Sequence, residues 1–104
     1  MKRETLEHLD PSRLDAGAEL LAALAHPVRL RIVVGLLEGD CCVGPMVECL
    51  DLPQAFVSRH LAILRDAGVV ECQSEGRLRR YRVVHPAVAP LVEALGVLSS
   101  RSAA

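Results

Sequence analysis

The amino-acid sequence predicts a mainly helical domain that carries one small β-hairpin. Apolar residues recur every three or four positions through most of the 104-residue chain, which is the spacing of amphipathic helices. One stretch, 69–84, instead alternates apolar and polar residues around a glycine, as paired strands do. Phe56 and Tyr81 are the only aromatic residues among Phe, Trp and Tyr, so we expect an aliphatic core. The length fits a single domain over residues 1–104.

Helix-start signals and helix breakers divide the helical part into five segments. Asp10 or Ser12 fits the cap of the first helix, and prolines open the second and third. The predicted helices cover about 12–25, 27–39, 45–50, 53–67 and 87–98. We expect the second helix to bury Leu30, Val33, Val34 and Leu37.

The fourth helix has two chemically different faces. Pro53 fits its first position and Gly68 the left-handed position just past its end. Its apolar stripe is formed by Val57, Leu61 and Leu64, and Phe56 and Ile63 are predicted to widen it. The other face is assigned Gln54, Ser58, Arg59, His60 and Arg65. Such hydrogen-bonding and cationic groups contact base edges and phosphates in DNA, although a solvated surface helix shows the same pattern when taken alone.

A basic hairpin follows that helix directly. We predict a strand over 69–72, a turn at 74–76 and a return strand over 78–84. Four arginines lie at or beyond the turn, namely Arg77, Arg79, Arg80 and Arg82. A short helix, a tight turn and a longer amphipathic helix make a helix-turn-helix. With the hairpin as its wing, the chain is predicted to be a winged helix-turn-helix of order α-α-α-α-β-β-α.

Charge is distributed unevenly along the chain. The formal net charge is −1, which by itself says nothing about nucleic acid. Residues 54–82 carry six arginines and three acids, whereas residues 1–53 carry five basic and nine acidic residues. A positive segment on an otherwise negative chain indicates a local binding site for a polyanion.

Other classes of protein fit the sequence less well. No apolar run approaches the roughly 20 residues that span a bilayer, and the first ten residues contain no secretory signal. We therefore expect a cytoplasmic protein with no membrane partner, whose four cysteines are thiols or metal ligands. No nucleophile–base pair, phosphate loop or zinc-protease motif is found, so no enzyme is predicted. A winged helix that binds protein instead of DNA remains an alternative.

Three segments in order, LAALAHPVRLRIVVGLLEG, FVSRHLAILRDAGVVE and EGRLRRYRV, make the chain similar to the ArsR/SmtB family of bacterial transcriptional repressors. The resemblance runs over about 20–84. It implies a homodimer that binds a palindromic operator in double-stranded DNA, needs no cofactor and is released by an inducer. Helices 12–25 and 87–98 would form the dimer, 43–67 the helix-turn-helix and 69–84 the wing. The surplus leucines of the first and last helices agree with such an interface.

The resemblance also places the DNA contacts. It puts the helix 53–67 in the major groove and the wing against phosphates or the minor groove. Gln54 suits adenine and Arg59 suits guanine. The predicted contacts are Gln54, Ser58, Arg59, His60, Arg65, Arg77, Arg79 and Arg80. Two alternatives stay open, since His60 fits a structural role and Arg82 fits a salt bridge equally well.

The inducer has to be inferred from the cysteines. Metal-sensing members of the family often carry Cys-Val-Cys at the third helix, where this chain has Cys42-Val43-Gly44. A second family metal site, in the last helix, is matched only by His85 and is predicted to be absent. The family's dithiol persulfide sensors need cysteines in the second and last helices, which have none here.

Adjacent Cys41 and Cys42 can supply two thiolates, and either Cys72 or a group from the other subunit can supply a third ligand. Three thiolates suit a soft ion such as As(III). Cys49 lies about 10 Å from Cys42 on a regular helix, too far to share one ion, and its role stays open. We therefore predict release by arsenite or another soft metal ion. Thiol oxidation or persulfide sensing, and a repressor without cysteine-based sensing, are the alternatives.

Overall fold

The computed structural model describes residues 2–39, 47–48 and 50–98. Five helices and one hairpin make up the described chain. They are α1 (Arg3–Glu7), α2 (Pro11–Leu24), α3 (Pro27–Leu37), α4 (Gln54–Asp66), β1 (Val70–Glu75), β2 (Leu78–Val83) and α5 (Val88–Leu95). Residues 47, 48 and 50 are helical too, within the predicted third helix. The predicted fold class is confirmed, and α1, which buries no residue, is an addition that apolar spacing does not signal.

The predicted cap of α2 is present. The Asp10 carboxylate accepts hydrogen bonds from the Ser12 backbone N–H at 3.0 Å and from the Ser12 hydroxyl at 2.7 Å. Both bonds favour the ionised form, so they hold the pKa of Asp10 below its ordinary value. Pro11 occupies the first turn, where its missing N–H costs nothing.

The buried face of α3 differs from the predicted one. Ile32, Val33 and Leu36 are buried, whereas Val33 is the only buried member of the predicted set. The helix itself carries apolar residues on most of its sides, so the sequence does not show which side faces the core. Its start is capped by His26, whose Nδ1 accepts the Val28 N–H at 3.1 Å.

The hairpin is antiparallel, and its register runs from Val70 opposite Val83 to Glu75 opposite Leu78. The loop is therefore the pair Gly76 and Arg77, and the predicted turn at 74–76 was wrong because β1 continues to Glu75. Two-residue loops favour glycine at their first central position, where φ is positive, and Gly76 has a φ of 61°.

The core lies between α2, α3, α4, the hairpin and α5. Tyr81 is its one aromatic member among the described residues, which confirms the expected aliphatic core. The predicted stripe of α4 is excluded from solvent at its centre, with Val57, Leu61 and Leu64 each 0% exposed. Phe56 is half-buried beside it, but Ile63 is 39% exposed, so its predicted place in the stripe was wrong. Gly68 ends this helix region with a φ of 76°, as predicted. The last helix stops at Leu95, earlier than the predicted end at residue 98.

Apolar side chains also remain on the outer faces of α2 and α5. Leu14, Leu21 and Leu95 are 53%, 56% and 61% exposed. A shallow apolar cavity of about 280 Å³ separates the two helices, lined in part by Leu21 and Leu91. In the described part of the chain, no single helix has the length and apolar character to cross a membrane. The α2–α3 pair passes that test only when joined, and it is bent by 93°.

Candidate nucleic-acid interface

The turn before α4 is short and fixed by local geometry. The Asp51 N–H bonds the Val47 carbonyl at 3.0 Å, and Asp51 itself has a left-handed φ of 54°. Pro53 then caps α4, with its carbonyl accepting the Phe56 and Val57 N–H groups at 3.0 and 3.1 Å. The chain thus passes from one helical segment to the next through a tight connection, as the helix-turn-helix prediction requires.

The outward face of α4 displays most of the predicted contact residues. Gln54, Ser58 and Arg59 are exposed on its N-terminal half, and Arg65 is exposed near its end. Arg65 lies 3.7 Å from the carboxylate of its neighbour Asp66. Because the opposite stripe of α4 is fully buried, the helix is held with these positions on its solvent side.

His60 is the exception, and its placement on the solvent face was wrong. The ring is buried, with 6% of the residue exposed. His60 follows Val57 by three positions and precedes Leu64 by four, so it lies on the same face as the apolar stripe. The spacing itself carried this signal, but the polar character of histidine hid it. The structural role left open for His60 is the one that the structure favours.

Arg29 connects His60 to another helix. One guanidinium nitrogen of Arg29 lies 3.2 Å from His60 Nδ1, and the other groups donate to the Ala22 and Ala23 carbonyls at the end of α2. Arginine has only donors, so His60 Nδ1 accepts and the ring is neutral with its proton on Nε2. The His26 and Phe56 rings lie 4.5 and 4.7 Å away, centroid to centroid.

The neutral state of His60 follows from its surroundings. Burial lowers the pKa of His60 below its ordinary value, and the nearby His26, Arg29 and Arg59 lower it further. Its Nε2 is buried and has no hydrogen-bond partner among the described residues. Sequence reasoning missed the whole cluster because its members come from separate helices.

The arginines of the wing fall into two groups, those that form ion pairs and those that do not. Arg82 forms an ion pair with Glu71 through nitrogens 2.7 and 2.8 Å from the carboxylate, and Arg80 lies 3.1 Å from Glu75. Arg77 and Arg79 are exposed, and neither forms an ion pair within the described residues. The salt-bridge alternative for Arg82 is therefore the arrangement observed, and the positive charge that is left concentrates toward the wing tip.

Comparison with known proteins decides the family. Residues 26–71 match the model of bacterial regulatory proteins of the arsR family. A biofilm growth-associated repressor from Xylella fastidiosa is 37% identical over 95 residues, which are 91% of this chain and 80% of that protein. The chain belongs to the ArsR family. The transcriptional repressor SmtB of Mycobacterium tuberculosis is 48% identical over 79 residues, which are 76% of this chain but only 58% of SmtB.

Solved structures agree with this ArsR-family assignment. HlyU from Vibrio cholerae superposes with a TM-score of 0.77 at 31% identity, over 83% of this chain and 94% of that one. A homodimeric winged helix-turn-helix DNA-binding domain from Mycobacterium bovis gives 0.74 at 30% identity, over 83% and 80% of the two chains. The matched family and both repressors are named as regulators, not as enzymes, as the sequence predicted.

The cysteines of this ArsR-family chain fall mostly outside the described residues, which hold Cys72 but not Cys41, Cys42 or Cys49. Cys72 is a half-buried thiol on β1, opposite Tyr81. Burial first, and then contact with Cys72, raise the pKa of Tyr81. No group of three potential metal ligands occurs in the part of the chain that is described. The three-thiolate site stays a prediction.

Proposed function

We propose that this chain is a homodimeric transcriptional repressor that binds a palindromic operator in double-stranded DNA. The observation that carries the proposal is the outward face of α4, where Gln54, Ser58 and Arg59 are exposed on a helix whose other face is fully buried. Such a helix can enter the major groove without losing its support. The repressor names of its relatives favour the same function.

The contacts divide by chemistry. Gln54, Ser58 and Arg59 are assigned to base edges. Arg77, Arg79 and Arg80 of the wing are assigned to phosphates or the minor groove, and Arg65 to phosphates. Arg80 has to leave Glu75 to reach DNA, but an exposed ion pair contributes only about 0.2–1 kcal/mol, so a phosphate can replace it. His60 does not belong to the contact set, because its ring is buried.

A second copy of the chain is proposed to cover the apolar outer faces of α2 and α5. The exposed leucines at positions 14, 21 and 95 are of the kind that dimer interfaces bury. The homodimeric relative from Mycobacterium bovis supports this assembly. Two-fold symmetry would present two copies of α4 to successive major grooves about 34–36 Å apart, which is why a palindromic operator is proposed.

The proposed inducer is arsenite or another soft metal ion bound by Cys41, Cys42 and Cys72, and the repressor needs no cofactor to bind DNA. Its support is chemical, since thiolates prefer soft ions. Thiol oxidation or persulfide formation at the same cysteines is the first alternative, and an inducer that uses no cysteine is the second. Native mass spectrometry of the dimer after exposure to arsenite, cadmium, zinc or sulfide, with thiols counted, separates the three.

DNA binding itself is tested by selection. Duplexes are selected from a random-sequence pool by the purified protein, and binding of the selected duplex is measured against salt concentration. We expect enrichment of a palindrome and a log–log salt slope of about −0.9 for each phosphate contacted. A winged helix that binds only protein would enrich no sequence and show no such slope, and this result would overturn the proposal.

A further inference from the structure

Arg29 is the point at which three helices meet. It lies near the start of α3, its Nε and one terminal nitrogen donate to the carbonyls of Ala23 and Ala22 at the end of α2, and its other nitrogen donates to His60 of α4. Among the described hydrogen bonds, these two carbonyls are the only groups of α2 that accept from Arg29. Movement of α4 relative to α2 therefore has to break or stretch a bond made by one side chain.

Both histidines in the cluster act as acceptors through Nδ1. The Val28 N–H donates to His26 at 3.1 Å, and Arg29 donates to His60 at 3.2 Å. An imidazolium has no free lone pair, so each bond requires a neutral ring. The two rings are in contact, with centroids 4.5 Å apart. A proton on His60 Nδ1 would remove the hydrogen bond to Arg29 and would leave the imidazolium and the guanidinium about 3.2 Å apart.

No acid among the described residues compensates such a charge at this position. The titratable groups acting on His60 are His26 and Arg29 from the start of α3 and Arg59 from α4 itself. From α2, the groups near the cluster are the backbone carbonyls of Ala22 and Ala23, which already accept from Arg29. From β1, no charged group of the described chain affects the pKa of His60. Every charge that faces the ring is therefore a cation or can become one.

We propose that Arg29 and His60 are positioning residues for DNA recognition, and that protonation of His60 displaces α4 and weakens operator binding. The proposal rests on the proposed function, because it concerns how α4 is held for DNA. His60 directly follows Arg59, the residue assigned to a guanine, and shares its helical turn with Phe56. A shift of the buried ring is thus transmitted to a base-contacting side chain through one peptide unit. Since the bound form holds fewer protons at His60, operator affinity falls as the pH falls.

The test compares wild type with His60→Asn. The Asn side-chain oxygen lies near the position of Nδ1 and can accept from Arg29, but it does not titrate in this range. His85→Asn is the control, because His85 Nδ1 also accepts a hydrogen bond, here from the Ala87 backbone N–H at 3.1 Å, and lies beyond the wing. Anisotropy of a duplex selected by the wild type is measured from about pH 7.5 to about pH 4.5, because the pKa of His60 lies below the ordinary histidine value of about 6.5 and the ring gains its proton only at lower pH.

We expect wild type and His85→Asn to lose roughly 5-fold or more of their affinity over this range, and His60→Asn to lose much less. Equal losses in all three proteins would overturn the inference while leaving the proposed function intact. Failure of wild type to select any duplex at the higher pH would instead refute the proposed function.

A second measurement holds even where His60→Asn does not fold. Imidazole nitrogen shifts of the wild-type protein report the tautomer and the titration of each ring. We expect His60 to carry its proton on Nε2 at neutral pH and to titrate together with the loss of DNA affinity. A His60 that is protonated at Nδ1, or that titrates without any change in affinity, contradicts the proposal.

Discussion

Replacing Arg59 with alanine separates base recognition from phosphate binding. Arg59 is exposed on the outward face of α4 and forms no ion pair within the described residues, so its guanidinium is free for DNA. A bidentate contact to guanine contributes about 1–3 kcal/mol of discrimination, which corresponds to roughly 5- to 150-fold in affinity for the selected duplex. We expect Arg59→Ala to lose this factor on the selected duplex and to lose much less on random DNA.

The matched change is Arg79→Ala in the wing. Arg79 is assigned to a phosphate, so its loss weakens binding to every sequence and lowers the salt slope by about 0.9. Arg82→Ala serves as the comparison, because Arg82 is assigned to no DNA contact and pairs with Glu71 at 2.7 Å, so we expect a smaller effect than that of Arg79→Ala. Anisotropy titrations of selected and random duplexes at several salt concentrations give all the required values. Equal losses on both duplexes for Arg59→Ala would show that α4 does not read the sequence.

Three further changes test the interface, the sensor and the core. Leu95→Glu puts a charge on the proposed dimer face, where burying an unpaired charge costs about 3–5 kcal/mol, so sedimentation should show monomers. Leu78→Glu changes a similarly exposed leucine on the wing, and this variant should stay dimeric. A dimeric Leu95→Glu would place the interface elsewhere. Cys42→Ser should bind the selected duplex yet resist release by arsenite, and normal release by both arsenite and a persulfide donor would leave the thiols without a sensing role. Leu61→Ala, at a site that is 0% exposed, should lower the free energy of unfolding by about 2–5 kcal/mol in urea melts, while Ile63→Ala, at 39% exposure, should lose far less. Similar losses at the two sites would contradict the orientation of α4.

The elements that the sequence could predict are those with strong local signals. Pro53 and Gly68 bracket α4, and the Asp10 cap begins α2, because capping depends on residues that are adjacent in the chain. The stripe of α4 is predicted correctly because its other face is polar. On α3 the same reasoning fails, since Ile32 and Leu36 are buried on a helix that offers apolar residues in nearly every direction. Which of them face the core is decided by α4 and the hairpin, not by α3.

The site was predicted less completely than the fold. The exposed residues of α4 follow from helical spacing alone, but the ion pairs of Arg80 and Arg82 depend on the register of the hairpin. In the structure β1 continues to Glu75, which brings this carboxylate within 3.1 Å of Arg80. The link between Arg29 and His60 joins positions that are 31 residues apart, so no local pattern could reveal it.

The placement of the charges explains why a net charge of −1 is compatible with DNA binding. The acids of the wing, Glu71 and Glu75, pair with the arginines on one face of the hairpin and leave Arg77 and Arg79 near the tip. The described acids of residues 1–53 lie outside α4 and the hairpin, so the total charge is a poor measure of the field at α4. On α4 itself the only described cationic side chain of the N-terminal half is Arg59, which makes the affinity depend on where this helix is held. The buried contact of His60 with Arg29 lies next to Arg59 in the chain, so we expect a displacement of His60 to move this cation as well.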